Sequence, residues 1–78
     1  MIETLKKYYD NRVADVAWMA SRYHSYQFSM KEYAWRIFEE CIGACHLAQM
    51  LGTPRDEVRP LIKDAQLRIE EILGETLI

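Results

Sequence analysis

The sequence predicts an all-α fold, a three-helix antiparallel bundle built by a single domain over residues 1–78. Apolar residues recur every three to four positions along three long segments, which is the spacing of a buried helical face. Residues typical of helix starts and stops separate these segments, so neighbouring helices are joined by short connections. Half of the residues are hydrophobic, but a chain of this length barely supports its own core. We therefore expect homodimerisation to complete the core.

The first predicted helix runs from about residue 2 to residue 24. Trp18 falls on its polar face. An indole exposed there loses the large stabilising free energy that its burial would provide. Either the connection after the helix folds back over Trp18, or Trp18 contacts a partner, since aromatic anchors are enriched in interfaces. The buried face is predicted from its apolar residues, which are Ile2, Leu5, Tyr9, Val13, Val16, Ala17, Ala20 and Tyr23.

The second predicted helix, residues 30–51, is the one around which we expect the others to pack. Ser29 and Glu32 form a capping-box start, and Gly52 supplies the left-handed residue that commonly ends a helix. Apolar residues cover roughly 240° of its circumference, more than two neighbouring helices can bury. We expect a second subunit, a partner or a ligand to cover the apolar surface of this helix that its two neighbours leave exposed. The alternative is that Trp35 and Ile42 simply edge the core of a monomer.

The third predicted helix spans residues 54–73, with Thr53 as its N-cap and Pro54 at its first helical position. Its apolar stripe is only about 120° wide, as in an ordinary edge helix. Pro60 removes one backbone hydrogen bond and predicts a kink or a short break. Gly74 ends the helix, and we expect the last residues of the chain to fray.

Charge and hydropathy predict the surroundings of the protein. The net charge is −2 with both signs interspersed, so neither a basic tail for nucleic acid nor an acidic block is present. The first residues lack the apolar core of a signal peptide. No apolar run approaches the length of a membrane span. We therefore expect a cytoplasmic protein that does not enter membranes, with both cysteines reduced.

Two cysteines and a histidine raise the question of a metal site. Cys41 and Cys45 share a helical face, but it is the centre of the apolar arc. His46 points about 100° away from Cys45, and structural zinc needs four converging ligands. We interpret the cysteines as small buried residues, and a metal-binding protein is the remote alternative. No catalytic, cofactor-binding or metal site is predicted, and we expect a non-enzymatic protein without a cofactor.

Residues 47–63 contain a motif that supports an alternative function. Ala48, Gly52 and Val58 match the spacing of relative positions five, nine and fifteen of a helix-turn-helix motif. That motif places a small residue, a turn glycine and a buried aliphatic residue at these positions. The segment therefore resembles a helix-turn-helix motif over about a quarter of the chain.

The resemblance implies a DNA-binding regulator. Leu51 and Leu61 match the core positions that flank the motif. Pro60 and the acidic net charge depart from the usual pattern, because DNA-binding domains commonly show a basic footprint. We rank this hypothesis second for those reasons. The side chains that would face the groove or the phosphates are Arg55, Arg59 and Lys63.

The first hypothesis is a protein–protein interaction module, a small helical adaptor or inhibitor of another macromolecule. Its support is the wide apolar arc of the second helix and the tryptophan on the polar face of the first. Inhibitors of host machinery that phages and mobile elements encode are one group of such chains. The partner is a protein of unknown identity, and a homodimer is expected. The predicted residues of the partner or dimer interface are Trp18, Trp35, Phe38 and Ile42.

Overall fold

A computed structural model describes residues 2–22 and 29–77 of the chain. These residues form three helices, α1 (Ile2–Arg22), α2 (Met30–Met50) and α3 (Arg55–Leu73), and no strand occurs among them. The all-α, three-helix prediction is confirmed. The predicted end of the first helix at residue 24, its residue Tyr23 and the connection that follows lie outside the described residues.

The starts of α2 and α3 are capped differently. The Ser29 hydroxyl accepts a hydrogen bond of 3.1 Å from the Glu32 amide, as the capping-box pattern predicts. At α3 the prediction is wrong by one residue, because Pro54 rather than Thr53 holds the N-cap position. Pro54 has φ −58° but an extended ψ of 141°, so the helix begins only after it. Its carbonyl accepts hydrogen bonds from the amides of Glu57 and Val58, at 3.0 and 3.3 Å.

Glycines end both α2 and α3, as predicted. Gly52 has φ +108° and Gly74 has φ +75°, a region that residues with a Cβ rarely occupy. The amides of Gly52 and Thr53 donate to the carbonyls of Gln49 and Ala48 at 3.0 and 2.9 Å. This pair of bonds is the Schellman pattern, which satisfies carbonyls that the helix end leaves open. The turn between α2 and α3 is therefore fixed by backbone hydrogen bonds.

Pro60 lies within α3, which is continuous on both sides of it. A proline lacks the amide hydrogen that would bond to the carbonyl four residues earlier. The short break that we considered at Pro60 does not occur, and a kink there stays a prediction.

One core joins the three helices. The stripe predicted for α3 is buried or half-buried throughout, and the centre of the α2 arc is buried too. In α1 the described residues of the predicted face are buried at Leu5, Tyr9, Val13 and Val16, half-buried at Ile2 and Ala20, and exposed at Ala17. The molecule measures 42 × 21 × 16 Å along its principal axes. The buried side chains are Leu5, Tyr9, Val13, Val16, Ala34, Ile37, Phe38, Cys41, Cys45, Ala48, Val58, Leu61, Ala65, Ile69 and Leu77.

The segment after α3 packs against the bundle, so the expectation that the chain frays there is wrong for its described residues. Leu77 is only 6% exposed and belongs to the core. Its amide donates a 2.8 Å hydrogen bond to the Glu70 carboxylate, which lowers the pKa of Glu70. Glu75 lies 3.7 Å from Lys31 at the start of α2. A buried leucine and these polar contacts hold the segment in place.

Polar contacts tie α1 to both of its neighbours. The Arg12 guanidinium forms an ion pair of 2.6 Å with Glu40 of α2. The Tyr9 hydroxyl donates to the Asp64 carboxylate of α3 at 2.9 Å. Both contacts lie at the edge of the core, where the carboxylates stay accessible to water.

Candidate interaction surfaces

The predicted interface residues differ in how much of each side chain reaches the surface. Trp18 is 51% exposed on α1 and Trp35 is 38% exposed on α2, while Ile42 is half-buried. Phe38 is a core residue with 3% exposure, so it offers almost no area to a partner. Its ring packs against Trp35, with centroids 5.9 Å apart and planes tilted by 55°. Phe38 therefore supports Trp35 from beneath.

Trp18 carries a cation on its ring. The Arg22 guanidinium lies 4.9 Å from the ring centroid, one turn further along α1. A cation–π contact at an exposed site contributes about 0.5–1 kcal/mol. This contact partly covers the indole that the sequence places on the polar face.

A shallow cleft of about 470 Å³ lies beside Trp35. We call it the Trp35 cleft. Leu77 forms part of its lining, so the chain itself covers some of this flank of α2. Its remaining lining is charged and comprises Lys31, Glu32, Arg36 and Glu39.

A second groove, of about 420 Å³, lies between the start of α1 and the end of α2. We call it the α1–α2 groove. Its lining is largely apolar, in contrast to the charged Trp35 cleft. Leu47 and Leu51 are 56% and 64% exposed, and Met50 beside them is almost fully exposed. The residues that line this groove include Leu5, Tyr8, Glu40, Ala44, Leu47 and Leu51, and Gly43 also contributes to it.

The α1–α2 groove is not predicted by the sequence, because the predicted contact residues of α2 lie on its opposite flank. Ala44, Leu47 and Leu51 belong to the same wide apolar arc as Trp35 and Ile42. Periodicity along one helix shows how wide the arc is. It does not show which flank the neighbouring helices cover. The useful signal was Tyr8, an aromatic residue at the border of the predicted α1 face.

The residues of the helix-turn-helix resemblance are only partly placed as that motif requires. Ala48 and Val58 are buried, and Gly52 has a positive φ, in agreement with the spacing. Leu51, expected at a flanking core position, is exposed instead, whereas Leu61 is buried. Leu51 follows the last turn of α2 and contributes to the α1–α2 groove rather than to the α2–α3 contact.

The start of α2 and the segment after α3 are in contact. The Lys31 ammonium group at the start of α2 lies 3.7 Å from the Glu75 carboxylate beyond the end of α3. The residues proposed for DNA contact are exposed, four positions apart along α3, and they are Arg55, Arg59 and Lys63.

The cysteines occupy the core, as the sequence predicts. Cys41 and Cys45 are free thiols and fully buried, and His46 is exposed on another side of α2. Burial chiefly, and then the neighbouring Cys45, raise the pKa of the Cys41 thiol to about 11. Metal binding requires the thiolate, which this setting disfavours. Within residues 2–22 and 29–77, no three histidine, cysteine, aspartate or glutamate side chains converge on one point.

The described residues define a small three-helix protein whose surface includes the apolar α1–α2 groove and the charged Trp35 cleft. Across the described part of the chain, none of the helices combines the length and the apolar run needed to span a bilayer. Comparison with protein-family models, curated proteins and solved structures finds no match to this chain.

Proposed function

We propose that this protein is a protein–protein interaction module, a non-enzymatic adaptor or inhibitor that works by binding another macromolecule. The α1–α2 groove carries this proposal, because Leu47 and Leu51 expose more than half of their surface within one continuous apolar lining. Each Å² of apolar surface that binding removes from water contributes about 25 cal/mol to the free energy of association. Exposed apolar patches of this kind mark interaction sites more often than scattered single residues do.

The proposal includes an antiparallel bundle. The α1–α2 groove joins the start of α1 to the end of α2, and Arg12 near the middle of α1 pairs with Glu40 near the middle of α2. These two contacts support opposite directions for α1 and α2. The proximity of Lys31 and Glu75 supports opposite directions for α2 and α3. We also expect Pro60 to kink α3, for want of one backbone bond.

The proposed contact with a foreign partner centres on Trp35. Its indole is partly exposed, supported by Phe38, and surrounded by the charges of the Trp35 cleft. A rigid aromatic anchor inside a polar rim is the usual arrangement of an interface hot spot. Trp18 and Ile42 are further contact candidates. A cytoplasmic location, and a role as an inhibitor of the kind that phages encode, stay part of the hypothesis.

Affinity capture with matched variants tests this function. Immobilised wild-type protein and Trp35→Ala are compared with Leu67→Ala, which removes an exposed apolar side chain of α3 away from both surfaces. A captured protein must be purified and its affinity measured by calorimetry. We expect Trp35→Ala to weaken binding by about 10-fold or more, the usual loss at a hot spot. Equal affinities for all three proteins would contradict the assignment of Trp35.

DNA binding is the second candidate, favoured by the exposed row of Arg55, Arg59 and Lys63 on α3. Binding through these cations predicts an affinity for duplex DNA that falls steeply as salt rises. A fluorescence-anisotropy titration at low and moderate salt measures it. Absence of binding at micromolar protein and low salt would remove this candidate.

A further inference from the structure

We infer that residues 75–77, which follow α3, occupy a peptide-binding site beside Trp35, and that a foreign partner displaces them with an extended segment of the same chemistry. That chemistry is an acidic residue two positions before a leucine, as in Glu75-Thr76-Leu77. We call these three residues the 75–77 segment. The inference rests on the proposed function, because it names the kind of partner that Trp35 contacts and what covers the site before that partner binds.

Leu77 is the part of the segment that fills the site. Its side chain is only 6% exposed and belongs to the core, although residues 75–77 form no helix. Leu77 also lines the Trp35 cleft. Withdrawing this leucine would therefore deepen the cleft towards the core and uncover apolar surface next to the indole. The site accepts a leucine from an irregular segment, as grooves that bind extended peptides do.

Two polar contacts add to the recognition of this leucine. The Leu77 amide donates a 2.8 Å hydrogen bond to the Glu70 carboxylate, which also accepts a 3.3 Å bond from the Gln66 side-chain amide. The Lys31 ammonium group lies 3.7 Å from the Glu75 carboxylate. The site therefore receives a backbone amide, an apolar side chain and a negative charge, and these contacts define the partner's sequence pattern.

The 75–77 segment is held weakly enough to be displaced. Lys31 and Glu75 both expose more than half of their side chains, a setting in which an ion pair contributes little. One buried leucine and one hydrogen bond then oppose the entropy that is lost when these residues are ordered. Segments with so few buried contacts open locally while the rest of the fold stays intact.

A foreign protein gains more from this site than a second copy of the chain does. The 75–77 segment of a second copy would make only the contacts that the chain's own segment already makes. It would also lack the effective concentration that a short tether provides. A foreign segment can extend along the cleft to the Trp35 indole and to the charges of Arg36 and Glu39. Those added contacts offset the advantage of the tether.

Hydrogen exchange of the wild-type protein, followed by NMR, tests whether the segment opens. We expect the Leu77 amide to exchange at least about 100-fold faster than the amide of Ile69, which is buried in α3, because the segment opens locally. Its exchange should depend little on denaturant, since local opening exposes little surface. Exchange of both amides at one rate that rises with denaturant would overturn the inference, because the segment would then leave only when the whole fold opens.

A peptide added in trans tests what the site recognises. Trp18→Phe leaves Trp35 as the only tryptophan. In that background Leu77→Ser should shift the Trp35 emission to the red and increase its quenching by acrylamide, while circular dichroism stays helical. Leu67→Ser is the matched control, since Leu67 is exposed and does not line the cleft. An unchanged Trp35 signal, or loss of helicity, in Leu77→Ser would overturn the inference.

The peptide acetyl-Gly-Glu-Thr-Leu-amide carries the sequence of residues 74–77. It should reverse the change in Leu77→Ser at millimolar concentration, the range of effective concentration that a short tether supplies. A peptide with serine in place of leucine should not reverse it. One with lysine in place of glutamate should bind about 2- to 5-fold more weakly, as loss of an exposed ion pair predicts. Equal effects of the three peptides, or no effect of any, would overturn the inference.

Affinity capture separates this inference from the proposed function. A protein captured through Trp35 should bind Leu77→Ser about 10-fold more tightly than the wild type, because the competing segment is gone. Equal affinities would overturn the inference and leave the proposed function intact. Reversal by the peptide without any captured protein counts against the proposed function alone. A wild-type dimer that dissociates in Leu77→Ser would place the segment of a second copy in the site and overturn the foreign partner.

Discussion

The Tyr9 hydroxyl donates a 2.9 Å hydrogen bond to the Asp64 carboxylate, linking α1 to α3 across 55 positions of the sequence. The guanidinium of Arg68 lies 5.7 Å from the Tyr9 ring centroid and also binds Asp10 of α1 at 2.5 Å. Tyr9 is itself a core residue. Burial chiefly, and then the bond to Asp64, raise the pKa of Tyr9 to about 12. This group of side chains fixes the position of α1 against α3.

Removing the Tyr9 hydroxyl should destabilise the fold modestly. We expect Tyr9→Phe to lower the free energy of unfolding by about 1 kcal/mol, the usual net contribution of one hydrogen bond. Urea unfolding followed by circular dichroism measures the change. Tyr8→Phe is the matched control, since Tyr8 is the adjacent, exposed tyrosine. Equal stabilities of the two variants would contradict the role assigned to the Asp64 bond.

The same residue predicts a dependence on alkaline pH. The pKa of Tyr9 rises from 10.0 to about 12 on folding, so the folded state holds the phenol proton more tightly between these values. The resulting stability is complete below pH 10 and is lost as the pH rises through 12. The free energy of unfolding should therefore fall more steeply with pH in the wild type than in Tyr9→Phe. Parallel profiles of the two proteins over this range would contradict it.

Periodicity and helix signals were enough to predict the three helices. The stripe of α3 and the centre of the α2 arc are buried as expected because helical spacing directly sets which residues share a face. Ser29 caps the start of α2 and Gly52 follows its end, as predicted, because capping depends on local backbone geometry. The N-cap of α3 is Pro54, one residue later than predicted, because adjacent positions carry nearly equal signals for a helix start.

Features that depend on contacts between distant residues were not readable from the sequence. The sequence predicts Phe38 at an interface, yet its side chain is buried and its ring packs against Trp35. The sequence predicts that the end of the chain frays, yet Leu77 packs in the core and lies beside Trp35 of α2. In both cases the outcome depends on which flank of α2 receives the neighbouring segments. The α1–α2 groove was missed for the same reason.

Alanine substitutions of Phe38 and Trp35 should show that the core residue contributes more to stability than the partly exposed one. We expect Phe38→Ala to lower the free energy of unfolding by about 3–5 kcal/mol, because it leaves a cavity in the core. Trp35→Ala should cost less, about 1–2 kcal/mol, since its ring is partly solvated already. Both are measured by denaturant unfolding at low protein concentration, so that any dimer contributes little. A larger loss for Trp35→Ala would mean that the indole, rather than Phe38, anchors this flank.

The thiols of Cys41 and Cys45 should be inert in the folded protein. Both are buried, and burial raises the pKa of each, so neither presents a thiolate to solvent near neutral pH. A thiol-specific disulfide reagent should label neither cysteine in native buffer within minutes and both in denaturant. We also expect Cys41→Ser to be less stable than Cys41→Ala by about 1–3 kcal/mol, because a hydroxyl in this apolar site costs desolvation. Rapid labelling of the native protein would contradict the burial of the thiols.

Two glycines should respond to alanine in opposite directions. Gly43 lies inside α2 with no atom within 4 Å of a would-be Cβ, so Gly43→Ala should raise the free energy of unfolding by about 0.8–1 kcal/mol. Gly52 has φ +108°, and Gly52→Ala should lower it by about 1–2 kcal/mol through backbone strain. Thermal unfolding at dilutions where the protein is monomeric compares the two. A stabilising Gly52→Ala would mean that the turn between α2 and α3 adopts another conformation. A destabilising Gly43→Ala would mean that another part of the chain occupies the space beside Gly43.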